Sequence, residues 1–131
     1  MSTEGYLAVG VPGTVKGLNY ALDKYGTMQL DEVIKPAIDL AKNGFVLQQG
    51  DVDIFKAGKK RLLQPNVAEI FLQDNNKTYR VGDTLIQSDL ANTLDAIASE
   101  GKAFYEGEIA EKIVAASQEN NGILSLEDFA T

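Results

Sequence analysis

Apolar residues recur three or four positions apart along most of the chain, in blocks separated by glycine, which is the periodicity of helices buried on one side. After a turn at Pro12-Gly13, Thr14 opens a helix whose Val15, Leu18, Leu22 and Tyr25 share a face, with Gly26 placed to cap it in the left-handed conformation. Leu30, Val33, Ile34, Ala37, Ile38 and Ala41 form a second stripe. It carries Asp31 and Glu32 in its first turn, where the helix dipole favours carboxylates, and stops at Lys42-Asn43-Gly44. Pro36 removes a backbone donor from this stretch, so a kink or break is expected between Glu32 and Pro36. A third helix is expected over residues 51–63, with Val52, Phe55 and Leu62 on one face and an end before Pro65. Gly58 within it costs about 1 kcal/mol relative to alanine.

Residues 67–72 read as a short helical turn. Asp74-Asn75-Asn76-Lys77 and Val81-Gly82-Asp83 are turn signals around the β-prone Thr78-Tyr79-Arg80, so the region around 71–87 is expected to form a small hairpin or an irregular arm. Ser88 is the expected N-cap of a helix that carries Leu90, Leu94 and Ile97 and ends at Gly101. Ile109, Ile113 and Val114 mark another from Glu108 to Gln118, stopped by Asn120-Asn121-Gly122. Ser125 and Asp128, three apart, resemble a capping signal that opens a helix close to Thr131, as expected where a longer chain has been cut. No repeat with a period of 20 to 50 residues is present. The expected architecture is mainly α, a single helical domain over residues 1–131 with an irregular middle.

Composition removes several function classes. Hydrophobic residues make up 44% and charged residues 24% of 131, the balance of a soluble globular protein, and a domain of this size buries roughly 70% of its unfolded surface. No apolar run approaches the roughly 20 residues of a membrane span. Residues 1–7, which include Glu4, lack the basic start and apolar centre of a secretory signal. A net charge of −7 argues against nucleic acid, whose phosphates need a basic footprint. With neither cysteine nor histidine, the chain cannot form a disulfide, a thiolate nucleophile, a Ser-His dyad or an ordinary zinc site.

The remaining candidates for chemistry each have a structural explanation. Asp51 and Asp53 could give two oxygens to a hard cation, but too few further ligands lie nearby, and first-turn carboxylates are the better reading. Asp74, Asn76 and Thr78 imitate the start of a calcium loop, yet Tyr79 stands where its glycine belongs and Leu85 where its bidentate carboxylate belongs. Lys56, Lys59, Lys60 and Arg61 could meet an anionic partner, although helical spacing distributes them over a solvated face. Gly10, Gly13 and Gly17 fit neither nucleotide fingerprint, and turn freedom with close helix packing at Gly17 is expected instead. The expected set of catalytic, substrate-binding, cofactor and metal residues within this chain is therefore none.

The words of the sequence, in order, resemble one family. Val9-Gly10-Val11-Pro12-Gly13-Thr14-Val15, Tyr25-Gly26-Thr27, Pro36-Ala37-Ile38-Asp39-Leu40-Ala41 and Gly44-Phe45 come first. Ile70-Phe71-Leu72, Gly82-Asp83-Thr84-Leu85, Gln87, Asp89-Leu90-Ala91, Thr93-Leu94, Ile97-Ala98, Gly101, Phe104-Tyr105-Glu106-Gly107, Ile109-Ala110 and Leu126-Glu127-Asp128 follow. Together they resemble the large subunit of γ-glutamyltransferase, also called γ-glutamyltranspeptidase or glutathione hydrolase, and the match implies an internal portion of that subunit. The resemblance implies an αββα N-terminal nucleophile hydrolase, made as a proenzyme and typically periplasmic or extracellular. Its small subunit begins with a threonine that attacks the γ-glutamyl carbonyl, using its own α-amine as base.

That nucleophile segment has no counterpart in this sequence, and neither Arg61 nor Arg80 matches the family's arginine for the substrate α-carboxylate. Thr14, Thr27, Thr84 and Thr93 fall in words that are structural in the family, and Thr131 is at the wrong end to become an N-terminal nucleophile. The implied role is scaffold, inactive by itself, with the rest of the large subunit and the small subunit as partners. Bare apolar faces are expected to promote a homodimer, and no cofactor, nucleic acid or membrane partner is implied. A stand-alone helical interaction module, or a related acylase or capsule-processing enzyme, is the alternative.

Overall fold

Helix α1 (Thr14–Tyr25) follows a 3-10 turn at Tyr6–Ala8 and leads to α2 (Leu30–Asn43), strand β1 (Phe45–Val46), α3 (Gln49–Leu62) and α4 (Pro65–Phe71). A second 3-10 turn at Asp74–Asn76 precedes β2 (Thr84–Leu85), α5 (Ser88–Ser99), α6 (Glu108–Glu119) and α7 (Leu126–Ala130). The structure, a computed structural model, describes residues 5–99, 102 and 104–130. Gly101, Thr131 and residues 1–4, on which expectations were placed above, lie outside them. The chain is mainly α, as its periodicity implies. No helix among the described residues is long and apolar enough to cross a membrane.

The chain divides into two compact units, one within Met1–Lys35 and Asn92–Thr131 and the other Pro36–Ala91. In the 36–91 unit the core is Leu47, Val52 and Leu85, with Phe55, Phe71 and Tyr79 packed against it. The Phe55 and Phe71 rings meet edge to face at 5.8 Å, an arrangement that aromatic quadrupoles favour. β1 and β2 pair antiparallel, Phe45 opposite Leu85 and Val46 opposite Thr84, and the Leu47 N–H continues the pairing to the Asp83 carbonyl at 2.8 Å. The strand in the irregular region is therefore not half of a local hairpin. Residues 73–77 close a tight loop through a Gln73–Lys77 bridge, Thr78-Tyr79-Arg80 is irregular, and Thr84–Leu85 takes a partner nearly forty residues earlier in sequence.

The other unit is centred on Ala110, Val114, Leu124 and Phe129, with Tyr105 and Ile113 against them. α6 ends as its Asn-Asn-Gly predicts. Asn121 is left-handed at φ 60, the Gly122 N–H reaches the Ser117 carbonyl at 2.7 Å, and the Asn121 N–H reaches the Gln118 carbonyl at 3.2 Å. Both bonds satisfy carbonyls that the helix end would otherwise leave open.

Three local expectations are corrected. Gly26 caps α1 in extended conformation, φ −79 and ψ 161, rather than left-handed. Its N–H still closes the last turn on the Leu22 carbonyl at 2.7 Å, and a Cβ at Gly26 would come within 2.5 Å of Leu22, so crowding rather than handedness asks for glycine. Of the kink or break expected at Pro36, the break is absent: α2 continues through Pro36, because the single lost bond to Glu32 is outweighed by those on either side. Ser88 is the first residue of α5 rather than its cap. Gln87 holds the cap position, its carbonyl accepting the Ala91 N–H while its own N–H donates to the Ala41 carbonyl, both at 2.9 Å.

Candidate functional site

The start of α1 is held by a phenol far along the chain. Tyr105 Oη donates to the Pro12 carbonyl at 2.6 Å and accepts the Lys16 N–H at 3.0 Å, so one hydroxyl satisfies groups on both sides of the helix start. The Tyr105 ring lies 6.2 Å from that of Phe129, which ties the turn at Pro12 to the unit's core. Sequence reasoning missed this role, since only the Phe104-Tyr105-Glu106-Gly107 word singled the residue out.

Gly17 does not serve close helix packing as expected. A Cβ at Gly10, Gly13 or Gly17 would meet nothing within 4 Å among the described residues. Gly17→Ala is expected to stabilise the chain by about 0.5–1 kcal/mol through helix propensity alone, read as a raised thermal midpoint in circular dichroism. A lowered midpoint would mean that the face is covered after all.

α1 buries none of its residues. Leu18, Tyr20 and Tyr25 are 66%, 60% and 74% exposed, and on α2 only Ala41 is buried while Val33 and Leu40 are about half exposed. Of the two predicted stripes, Val15, Leu22, Leu30, Ile34 and Ile38 are partly buried and Ala41 is buried, while Leu18, Tyr25 and Val33 remain exposed. Lys24 lies 5.3 Å from the ring centres of both Tyr20 and Tyr25, and its hydrogen bonds to Tyr20 first and Tyr25 second raise its pKa.

The candidate carboxylates are spent on the backbone and neighbouring amides. Asp51 accepts the Gln48 N–H at 2.8 Å at the opening of α3, and Asp53 accepts from the Gln49 side chain at 2.7 Å. Asp74 and Asn76 lie in the 3-10 turn, where Asn75 and Asn76 are left-handed, with Thr78 in the irregular run beyond. The carboxylate that organises this loop is Asp83, which accepts from the Gln73 side chain at 3.2 Å and the Arg80 N–H at 2.8 Å. Thr14, Thr84 and Thr93 lie inside α1, β2 and α5, and Thr27 lies between α1 and α2.

The basic residues divide. Lys60 and Arg61 are exposed in the last turn of α3, whereas Lys56 and Lys59 line an open concavity of about 470 Å³ together with Lys77 and Arg80 from the following loop. No aspartate or glutamate lines it. Lys77 and Arg80 were not grouped with α3 by sequence, because the loop's fold alone brings them there.

Asp128 shows how the short α7 begins. Its carboxylate accepts the Ser125 N–H at 2.8 Å and the Ser125 hydroxyl at 2.9 Å, and these bonds, the backbone one foremost, lower its pKa. A lowered carboxylate pKa contributes stability that is complete above the unfolded value of about 3.9 and is lost as pH falls through the folded value. Asp128→Asn should therefore lower the thermal midpoint at neutral pH by an amount that vanishes under strongly acidic conditions; a pH-independent difference would contradict this origin. Glu108 is likewise lowered, by its hydrogen bond and charge pairing with Lys112 at 2.7 Å.

The gamma-glutamyltranspeptidase family profile matches residues 1–131. The chain belongs to the gamma-glutamyltranspeptidase family. It is 46% identical over 131 residues to the glutathione hydrolase proenzyme of Pseudomonas sp. strain A14, an alignment covering 98% of this chain and 23% of the relative. This gamma-glutamyltranspeptidase segment superposes on the crystal structure of the Helicobacter pylori gamma-glutamyltranspeptidase with a TM-score of 0.94 and 41% identity, over 98% of this chain and 38% of that one. It also resembles the Bacillus anthracis transpeptidase enzyme CapD, with a TM-score of 0.83, 35% identity, and coverage of 98% and 43%. The chain spans about a quarter of the length of the Pseudomonas relative.

Proposed function

We propose that residues 1–131 serve as scaffold in the large subunit of a γ-glutamyltransferase. The whole enzyme would cleave γ-glutamyl amides such as glutathione and pass the γ-glutamyl group to water, an amino acid or a peptide, through a threonine nucleophile supplied by the small subunit. The observation that carries the scaffold reading is the exposure of α1: none of its residues is fully buried and Leu18, Tyr20 and Tyr25 stand mostly exposed, which leaves apolar surface for a neighbour. On this reading the rest of the large subunit and the small subunit are its partners, and in their absence two copies meet through the same faces. The chain's task is positional, keeping catalytic groups from other segments in reacting geometry.

A related capsule-type transpeptidase is the second reading, favoured by the likeness to CapD. The first reading is supported over it by the 46% identity to the Pseudomonas sp. glutathione hydrolase proenzyme and by the TM-score of 0.94 to the Helicobacter pylori gamma-glutamyltranspeptidase.

The test is a chimera. These residues, exchanged for the matching segment of the Pseudomonas proenzyme, should give a protein that matures and hydrolyses a γ-glutamyl anilide with kcat/KM within about tenfold of its parent. A folded chimera that loses more than about a hundredfold, the scale of a 1 Å misplacement of catalytic groups, would contradict the scaffold reading.

A further inference from the structure

We infer that the concavity between α3 and the loop over residues 73–81 binds a small polyanion carrying two or more negative charges. This inference stands apart from the scaffold reading, since it concerns only residues of the 36–91 unit. The chain carries 19 acidic and 12 basic residues, yet four of the 12, Lys56, Lys59, Lys77 and Arg80, line this one concavity and no carboxylate does. Elsewhere, Lys102 and Lys112 form ion pairs with Glu106 and Glu108, each four residues away. Among the described residues no such ion pair engages the four.

The rest of the wall suits an anion. Asn75 and Asn76 offer amide donors and Thr78 and Tyr79 offer hydroxyls, beside the buried Val52. The concavity is open to solvent, with a volume of about 470 Å³.

The loop is fixed before any ligand arrives. The Gln73 N–H donates to the Lys77 carbonyl at 2.8 Å, Asp83 holds the Gln73 side chain and the Arg80 N–H, and Tyr79 packs on Phe55 at 6.3 Å between ring centres. Asp83 is thereby turned to the loop's own donors. Four like charges held on a preorganised wall repel one another, and an anion relieves that repulsion without the cost of ordering the loop.

Isothermal titration of the 131-residue chain at low ionic strength, with inorganic tripolyphosphate in one arm and citrate in the other, tests the inference and separates phosphate from carboxylate recognition. Saturable binding of either probe is expected, weakening as salt is raised. Lys56→Glu with Arg80→Glu should reduce affinity at least about tenfold, and the neutral Lys56→Gln with Arg80→Gln should reduce it by less. Lys60→Glu with Arg61→Glu makes the same change in net charge outside the concavity and should stay within about twofold. All four altered side chains are exposed, so the variants should keep the parent's circular dichroism. Failure of both probes to bind the unaltered chain, or equal weakening by the two charge-reversed pairs, would overturn the inference.

Discussion

Phe129→Ala will destabilise its unit by about 3–5 kcal/mol, the largest loss expected from any single truncation here. Phe129 is 2% exposed, lies among Ala110, Val114 and Leu124, and faces the Tyr105 ring at 6.2 Å. It is also the one buried residue of α7, a five-residue helix far too short to persist without tertiary contact. Its removal both opens a cavity and frees the helix that carried it. Tyr105, released from the same cluster, then holds Pro12 and Lys16 less firmly, so the loss extends to the start of α1. Because the chain has no tryptophan, far-UV circular dichroism in urea is the appropriate probe. A midpoint lowered by at least about 1 M is expected for a domain of this size. A shift too small to detect would mean that Phe129 contributes nothing to the core.

Gly44→Ala is the second large effect, expected at about 2–5 kcal/mol in the 36–91 unit. Gly44 ends α2 at φ +80, which an L side chain adopts at a cost of about 1–2 kcal/mol. A Cβ there would stand 2.5 Å from Thr84 Cγ2, 2.7 Å from Ile86 Cγ1 and 2.9 Å from the Leu85 carbonyl oxygen, and relieving such crowding costs about 1–3 kcal/mol more. The crowded atoms belong to β2 and its flank, so the substitution should loosen the β1–β2 pairing as well as the helix end. Amide exchange should quicken at Leu47, whose N–H bonds the Asp83 carbonyl, and at Gln87, whose N–H bonds the Ala41 carbonyl. Unchanged exchange at both would show that the strand pair tolerates the added methyl group.

What could be read from the sequence was what neighbouring residues decide. The helices were legible because a 3.6-residue period needs no partner, and the Asn-Asn-Gly stop and the Ser125–Asp128 cap act within a few residues. β1 was not legible, since Phe45–Val46 is a strand only through β2, whose residues pair with it from far along the chain. The handedness of Gly26 was misread because its need is set by Leu22 crowding rather than by φ. The stripe on α6 was legible in outline, but its buried positions are Ala110, Val114 and Ser117, while Ile109 is only partly buried. Small residues go inside where the packing is close, and the amino-acid pattern alone does not report that distance. Tyr105 as the clamp on α1, and Lys77 and Arg80 beside Lys56 and Lys59, required the fold itself.

The family was legible through ordered words, yet those words mark turns, caps and helix faces. Val11-Pro12-Gly13-Thr14 leads into α1 and is held by Tyr105; nothing around it within the described residues forms a nucleophile with its base. The central claim, that this part of a γ-glutamyltransferase supports chemistry performed by other segments, is tested most directly by incubating the pure 131-residue chain with a γ-glutamyl anilide. The account predicts anilide release no faster than in buffer alone, and clear enzymatic turnover by the pure chain would contradict it.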